Sequence, residues 1–458
     1  VGRAASGTLA SVRVTIVAAN SFTFDARQQR TAAALAGDGH KVTLVGFAAP
    51  KLPTLEELED GITLRRVPVD LTIASAFRPL PGVARRALVR LLGISPTATQ
   101  LPPDAPRGLD KLRHPFRRVA EIAAHARRVG PWSKAVLAVS PDADVYHCKA
   151  LIALPVIRAC AAKSTAKSNS TWGGRFVYDI ADIHTEAARL ARMPGWFRAL
   201  VRNRETGWMR EAAGLTAVSD DVADEVVRRF GVPRPVITLN TPIAWRPDEV
   251  MPDRAGLLRA RAGIPDGRRI VLYQGGFSVD RGIEELVGAM SQPPLAGADV
   301  AAVFIGYGRL REWLGEQAAA QPGRIVVIDA IPPRELLEHT VDADVGFVGQ
   351  PGRTLNQRLN LANKLFEYLQ TAVPVVVAQD TAHCRFVTEH AVGRCVDIDS
   401  AASIAAAVGE LLFADDAERE RMRVYCRGLG IGTYTWEQQQ AGLVAMYRGL
   451  VAAAGAPA

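Results

Sequence analysis

From residue 269 onward, apolar runs of four to six residues alternate with amphipathic stretches. The pattern predicts strands at 269–273, 300–305, 324–328, 344–348 and 375–378. It predicts helices after Gly282, from Leu310, over 333–340 and from Lys364. Short β-branched runs bounded by Gly, Pro and Asp suit strands buried on both faces, and their alternation with helices implies a parallel, doubly wound sheet. The first half shows the same alternation less regularly. Strands are expected at 12–19, 144–148, up to Ala181, just before Ser219, and in the run PVITLNTP that ends at Asn240 to Pro242. A helix is expected around 203–213. The segment NSFTFDARQQRTAAALAGDGHKVTLVG reads as loop, helix, Gly-His turn and strand. Residues 1–10 read as a loose tail. Pro242, Pro247, Pro252 and Pro265, interspersed with charges, mark 241–268 as a linker. At 458 residues the chain is long enough for two or more domains.

Residues 71–135 break the alternation and read as an irregular basic insertion. Within it, Ala84, Ala87, Leu88, Leu91 and Leu92 share one side of a helical wheel. Arg86 and Arg90 lie opposite, and Arg85 sits at the flank. A basic amphipathic helix of this kind suits an anionic lipid surface or its own domain. The net charge of +8 points the same way, toward nucleotide phosphates or anionic membranes. With aromatic residues at only 6% and no groove-reading motif, nucleic acid is not the expected partner. The five cysteines, Cys148, Cys160, Cys384, Cys395 and Cys426, show no metal spacing. Their odd count argues against a disulfide framework, so reduced thiols and a cytoplasmic location are expected. No apolar run reaches the roughly 18 residues of a membrane span.

The chemistry concentrates in NKLFEYLQTAVPVVVA, residues 363–378. Asn363 is placed to cap a helix, with Lys364 in its first turn and Leu365 and Leu369 on its apolar stripe. The chain reaches this helix through a long loop, 349–362, that follows a buried strand. Loops at the carboxyl ends of parallel strands are where open α/β sheets bind ligands. The helix N-terminus attracts anions, Lys364 adds a charge, and Glu367 offers a carboxylate to hydroxyls. Phosphate and sugar hydroxyls together describe a sugar nucleotide.

This run resembles the carboxyl-terminal signature of family 4 glycosyltransferases, retaining enzymes of the GT-B fold, in which a similar Asn-Lys-x-x-Glu-Tyr precedes Pro-Val-Val. Asp25 and Arg27 match an Asp-x-Arg that often follows their first strand, although the usual glycine pair of that loop is absent; a surface Asp–Arg pair and a structural or acceptor-side role are the two readings. Asp182 and His184 fall in a similar Tyr-Asp…Asp-x-His pattern, which implies a place near acceptor and reacting sugar. The loop QGGFSVDRG supplies Gly275, Gly276 and Arg281, the last in the position of a residue that holds the donor diphosphate. Gly306 and Gly308 in GYGRL resemble the loop near the base. Many relatives also carry two glutamates with seven residues between them. Glu367 matches the second, near the ribose, but the first is Leu359 here. Asn356, Gln357 and Asn360 surround that gap.

The resemblance implies an α/β, GT-B architecture of two Rossmann-like domains with parallel sheets facing a central cleft. Residues 1–240 would form an acceptor-side domain, 269–430 a nucleotide-sugar domain, and 431–458 a terminal helix crossing back to the first. The implied activity is hexosyl transfer from a UDP- or GDP-linked sugar to a hydroxyl acceptor, with a lipid-linked acceptor compatible with the basic helix. His184, Asp182, Arg281 and Lys364 are the catalytic candidates. Gly275, Gly276, Arg281, Gly306, Gly308, Asn360, Asn363, Lys364 and Glu367 are the donor-binding candidates. No cofactor or metal is expected: Asp142-Ala143-Asp144 leads into a first-domain strand, and Arg281 and Lys364 are suited to neutralising the leaving diphosphate. A sugar-nucleotide 2-epimerase and an inactive sugar-nucleotide-binding subunit are the alternatives.

Overall fold

The computed structural model describes residues 11–23, 25–99, 110–165, 174–187, 190 and 193–455. The tail read at 1–10 lies outside them. The chain divides into two compact units. The first holds the residues through Ala217, Asp224–Val236 and those from Gly442 onward. The second holds Val218–Ala223 and Ile237–Ala441.

Among the described residues the sheet of the first unit has eight strands, the last running into Ile237 of the second. They are β1 (Arg13–Val17), β2 (Lys41–Phe47), β3 (Leu55–Glu57), β4 (Thr63–Val67), β5 (Val145–Lys149), β6 (Arg175–Ile180), β7 (Gly214–Ala217) and β8 (Val236–Ile237). Their order is β3-β4-β2-β1-β5-β6-β7-β8. β3 is antiparallel to β4, while β4, β2, β1, β5, β6 and β7 pair in parallel. Helix α1 (Ala26–Gly37) follows β1; Asp25 caps it by accepting from the Gln28 amide. Val14, Ile16, Leu44, Val145 and Val177 form the core together with Leu443, Tyr447 and Val451 of the terminal helix Trp436–Gly455. Within that core the Tyr447 hydroxyl lies 2.9 Å from His147 Nδ1. Burial holds His147 down at about 4, so it is neutral there.

The segment read as irregular carries two helices, α2 (Gly82–Leu91) and α3 (Asp110–Val139). α3 is 30 residues long and contains Pro115 and Pro131, the residues that obscured its period. The packed side of α2 overlaps only in part with the one the wheel selected, through Leu88 and Leu92. Val89 and Leu92 are buried with Ile73, Ala120 and Ala124, whereas Ala84, Ala87 and Leu91 face solvent beside Arg86 and Arg90.

The second unit holds a six-stranded sheet in which every pair is parallel. Its strands are β9 (Arg269–Phe277), β10 (Val300–Gly308), β11 (Ile325–Asp329), β12 (Val345–Val348), β13 (Val375–Ala378) and β14 (Gly393–Val396). The order β11-β10-β9-β12-β13-β14 reverses direction between β9 and β12. The crevice outside the carboxyl ends of those two strands is the switch point, where such sheets take ligands. Cores on both faces bury Val271, Phe304, Val345 and Val376 on one side and Leu272, Val303, Val375 and Val377 on the other. Continuous Val/Ile/Leu runs are thus explained by two-sided burial. Part of the stretch read as linker is helical, over Leu257–Ala262.

One expectation is corrected by a covalent bond. Cys384 and Cys395 form a disulfide with Cα atoms 5.4 Å apart, joining the helix Ala382–His390 to β14. The odd count hid it, because a single pair closed by a helix-to-strand return needs no framework. Cys148, Cys160 and Cys426 are free and buried.

Among the described residues, no helix is long and apolar enough to cross a membrane.

Candidate active site

The helix read from residues 363–370 spans Asn363–Gln370 and buries Leu365, Phe366, Tyr368 and Leu369. Its cap is Ala362, not Asn363, and no side chain accepts from its first turn. Asn363 is instead the first helical residue. The chain is held there from outside: the Ala362 amide donates to His383 Nε2 at 2.8 Å. Burial drives His383 down to about 3, with Lys364 and Arg281 adding to the shift, so Nε2 keeps its lone pair free to accept. The Leu365 amide turns back to the Ala362 carbonyl at 3.0 Å, which leaves the Asn363 and Lys364 N–H groups of the first turn for an incoming acceptor.

Lys364 projects from this turn over the ring of Tyr273, with Nζ 3.9 Å from the centroid. The ring face offsets part of the ammonium's lost hydration. Burial, with the charge of Arg281 added, lowers Lys364 to about 7 against the opposing charge of Glu367. A cation this poorly compensated gains when an anion arrives. One turn on, Glu367 accepts from Gln274 Nε2 at 2.6 Å, and Gln274 Oε1 accepts from the Thr340 hydroxyl at 2.9 Å. The carboxylate is therefore oriented from β9.

The glycines stand in strands rather than in the loops the sequence suggested. β9 runs on to Phe277 and β10 to Gly308, with Gly306 opposite Gly275 and Gly308 opposite Phe277. A Cβ on Gly306 would meet the Gly275 carbonyl at 1.9 Å, and one on Gly308 the Phe277 carbonyl at 2.3 Å. These two are demanded by the pairing of the strand ends, whatever binds beside them. Gly275 differs. Its φ is +133°, and a Cβ there would stand 3.1 Å from Lys364 Nζ, so its bareness makes room for the ammonium. A Cβ on Gly276 would meet open space. Arg281 is exposed after β9, and its Nη1 donates to Gln350 Oε1, just after β12, at 2.7 Å.

The structure thus gathers Gly275, Arg281, Lys364 and Glu367 at one switch point, and adds Tyr273, Gln274, Gln350 and His383, which the sequence reading missed. The signal for the first two was available: they end the apolar run of β9, at a strand's carboxyl end. Leu359 closes the short helix Leu355–Leu359, with Asn360 as its C-cap. Thr354 and Gln357 form a capping box, so Gln357 is engaged in holding that helix.

His184 and Asp182 belong to the first unit, just beyond β6. His184 Nε2 accepts from the Leu151 amide at 2.9 Å, and burial holds the ring down at about 4. That nitrogen's lone pair is occupied, which fixes the ring as a neutral group. Arg27 is not a surface partner of Asp25. It is buried and makes a fork to Asp179 on β6, both bonds at 2.7 Å. Asp25 instead meets Lys149 at 3.3 Å. Among the described residues no group of three His, Cys, Asp or Glu side chains is arranged to hold a metal.

Solved structures share this architecture. Sucrose-phosphate synthase from Thermosynechococcus elongatus superposes with a TM-score of 0.67 at 16% identity, covering 96% of this chain and 100% of the other. The chain has the GT-B fold. A UDP-forming trehalose-phosphate synthase from Burkholderia xenovorans matches with a TM-score of 0.63 at 13% identity, over 96% of this chain and 99% of that one. The E. coli trehalose-6-phosphate structure, bound with UDP-2-fluoro glucose, matches with a TM-score of 0.63 at 12% identity, over 95% and 99%. No protein-family model matches the sequence, and no curated protein does.

Proposed function

We propose that the protein is a glycosyltransferase of the family 4 type, moving a hexose from a UDP- or GDP-linked donor to a hydroxyl acceptor with retention and without a metal. The observation that carries this reading is Lys364. It sits in the first turn of a helix with no side-chain cap, beside a bare Gly275, at the switch point of the second sheet. In this reading the diphosphate lies between the helix N-terminus, Lys364 and Arg281, and Glu367 accepts from the ribose hydroxyls. Asn360, Asn363, Gly276, Gly306 and Gly308 border the donor; His184 and Asp182 serve the acceptor side. Charge builds on the leaving diphosphate as the glycosidic bond breaks, so a fixed cation favours the transition state over the bound donor.

Lys364→Ala is expected to lower turnover by about ten- to a thousandfold while weakening donor binding less, and EDTA is expected to leave the rate unchanged. The assay is release of free nucleoside diphosphate on addition of acceptor, with the product anomer assigned by NMR. A folded Lys364→Ala protein with full turnover at saturating donor would refute the clamp. Leu359 favours one second reading, a sugar-nucleotide-binding subunit without transfer. In that case UDP or GDP raises the melting temperature but no acceptor releases nucleoside diphosphate. The 2-epimerase reading needs extra acid/base carboxylates beside the donor.

In this reading the protein works at the cytoplasmic face of a membrane on a lipid-linked hydroxyl acceptor, in glycan or glycolipid synthesis. Support comes from α2 and α3, where Val83, Leu91, Leu112, Phe116 and Val119 are exposed alongside Arg86 and Arg90. Each basic residue near anionic lipid contributes about 1 kcal/mol. Arg86→Glu with Arg90→Glu is expected to abolish sedimentation with phosphatidylserine vesicles at low salt. Failure of the unaltered protein to sediment removes the membrane from the proposal.

A further inference from the structure

At the opposite end of the second sheet, a cavity of about 380 Å³ is lined by Arg254, Arg269, Asp344, Pro374, Arg419 and Arg423, among others. Arg269 opens β9, Asp344 precedes β12, and Pro374 precedes β13, so the cavity lies at the amino ends of the strands. Arg269 and Gly275 lie six steps apart along extended β9, roughly 20 Å. Whatever binds here is not the ligand of the Lys364 site.

The charges in this cavity are sorted by depth. Asp344, only 7% exposed, takes Arg254 at 2.9 Å, Arg269 at 3.4 Å and Arg259 at 3.9 Å. Arg423 projects from the helix Asp416–Gly432 and is itself 16% exposed. Its nearest acid is Glu420, 58% exposed, at 3.6 Å, which is beyond a hydrogen bond. Arg423 Nε is buried with no hydrogen-bond partner. Asp416 and Glu418 are exposed at the rim, and Glu410 is spent on Arg394 at 2.8 Å. The lining carries as many acids as arginines, but Arg394 and Arg419 are spent on Glu410 and Asp416, so at the buried end Arg254, Arg269 and Arg423 face only Asp344 and the largely solvated Glu420. Burial and the neighbouring Arg254 both push the Arg423 guanidinium below its ordinary value, as an uncompensated cluster would.

We infer that this cavity is a second ligand site, built for a small phosphate-bearing anion. Guanidinium forks match the paired oxygens of phosphate. A phosphate ester carries nearly two charges at neutral pH and would meet Arg254, Arg269 and Arg423 at the buried end of the cavity. The volume falls within the range of small-molecule sites, about 300–1,000 Å³, so the anion is a phosphorylated metabolite rather than a phosphate group on a macromolecule. The site also touches the candidate active site through one element. The helix carrying Arg423 continues to Arg427, whose Nη1 donates to the Gln370 carbonyl at the end of the Lys364 helix at 2.5 Å. The inference does not rest on the proposed transferase activity.

The test is isothermal titration calorimetry of the full chain with inorganic pyrophosphate at low ionic strength. Arg281→Ala with Lys364→Ala serves as the background, so that any binding at the helix N-terminus is removed. That protein is expected to bind one pyrophosphate per chain. Adding Arg423→Gln is expected to weaken binding at least about tenfold, the value of one charge-assisted hydrogen bond. Arg254→Gln should act in the same direction, and it stands in if Arg423→Gln does not fold by circular dichroism. Arg311, half-buried and paired with Asp329 on the far edge of the sheet, is the control: Arg311→Gln should change nothing. No binding in the background protein overturns the inference, because pyrophosphate would then have only the Lys364 site. Unchanged affinity in the Arg423 and Arg254 variants, or equal weakening by Arg311→Gln, overturns it too, the last by reducing the effect to net charge.

Discussion

The parallel run of each sheet reverses strand order once, and the two crevices are filled in opposite ways. In the first unit the reversal lies between β1 and β5. There the chain closes on itself: Asp25 takes Asn20 at 2.7 Å and Lys149 at 3.3 Å, and Arg27 is forked to Asp179 beside it. Asp179 also accepts from Gln28 at 3.1 Å and Thr216 at 2.8 Å. Burial raises the Asp179 carboxyl, but the charge and hydrogen bonds of Arg27 overcome it and hold the group down at about 2. In the second unit, between β9 and β12, the corresponding place holds a glycine and a lysine set over an aromatic ring rather than against a carboxylate. One crevice has its charges satisfied from within. The other carries a cation that the fold leaves short of compensation. Stability and binding ask for opposite arrangements at the same topological position.

The largest expected effect breaks the satisfied crevice. Arg27→Ala leaves Asp179 charged, buried and without its fork, and should cost about 3–5 kcal/mol, measured as a lower midpoint in urea. A loss under about 1 kcal/mol would mean that Asp179 neutralises or that water enters. Lys364→Met should do the reverse in the other crevice. Because burial depresses Lys364, the folded state holds its proton less tightly than the unfolded state, so the charge costs stability at pH 7. Removing it should raise the urea midpoint by an amount on the order of 1 kcal/mol, while transfer is lost. A variant that is both inactive and destabilised would erase the contrast.

The third expectation sharpens the comparison with pH. With Lys364 at about 7 in the free protein, the amine is mostly neutral above that pH. A bound diphosphate needs the ammonium, so binding takes up a proton and affinity falls as pH rises. The decline should approach tenfold per pH unit from about pH 7 up to the higher value Lys364 adopts in the complex. Below pH 7 this group should contribute no slope. Calorimetry of UDP or GDP binding at pH 6.5, 7.5 and 8.5 reads it directly, and a flat profile would place the diphosphate away from Lys364.

Much of the second sheet could be read in one dimension. Runs such as Val375 to Val377 are apolar because both faces are covered, and that is a property of each residue's own position. Lys364 and Glu367 were legible because three residues of helix put them on one side, with no help from the rest of the chain. Composition decided the surplus of positive charge, and the proline and glycine punctuation decided where elements break. What the sequence could not carry was anything fixed by two distant segments at once. That Arg27 answers Asp179 and not Asp25, that His383 and not Asn363 holds the helix start, and that Cys384 meets Cys395 are outcomes of strand order. The same holds for the two sets of glycines: Gly306 is bare because a neighbouring strand passes it, and Gly275 because a lysine from 89 residues later comes to rest beside it. Local periodicity records which face of an element is buried. Only the packed sheet decides what that face meets, because partners far apart in the chain become neighbours through topology alone.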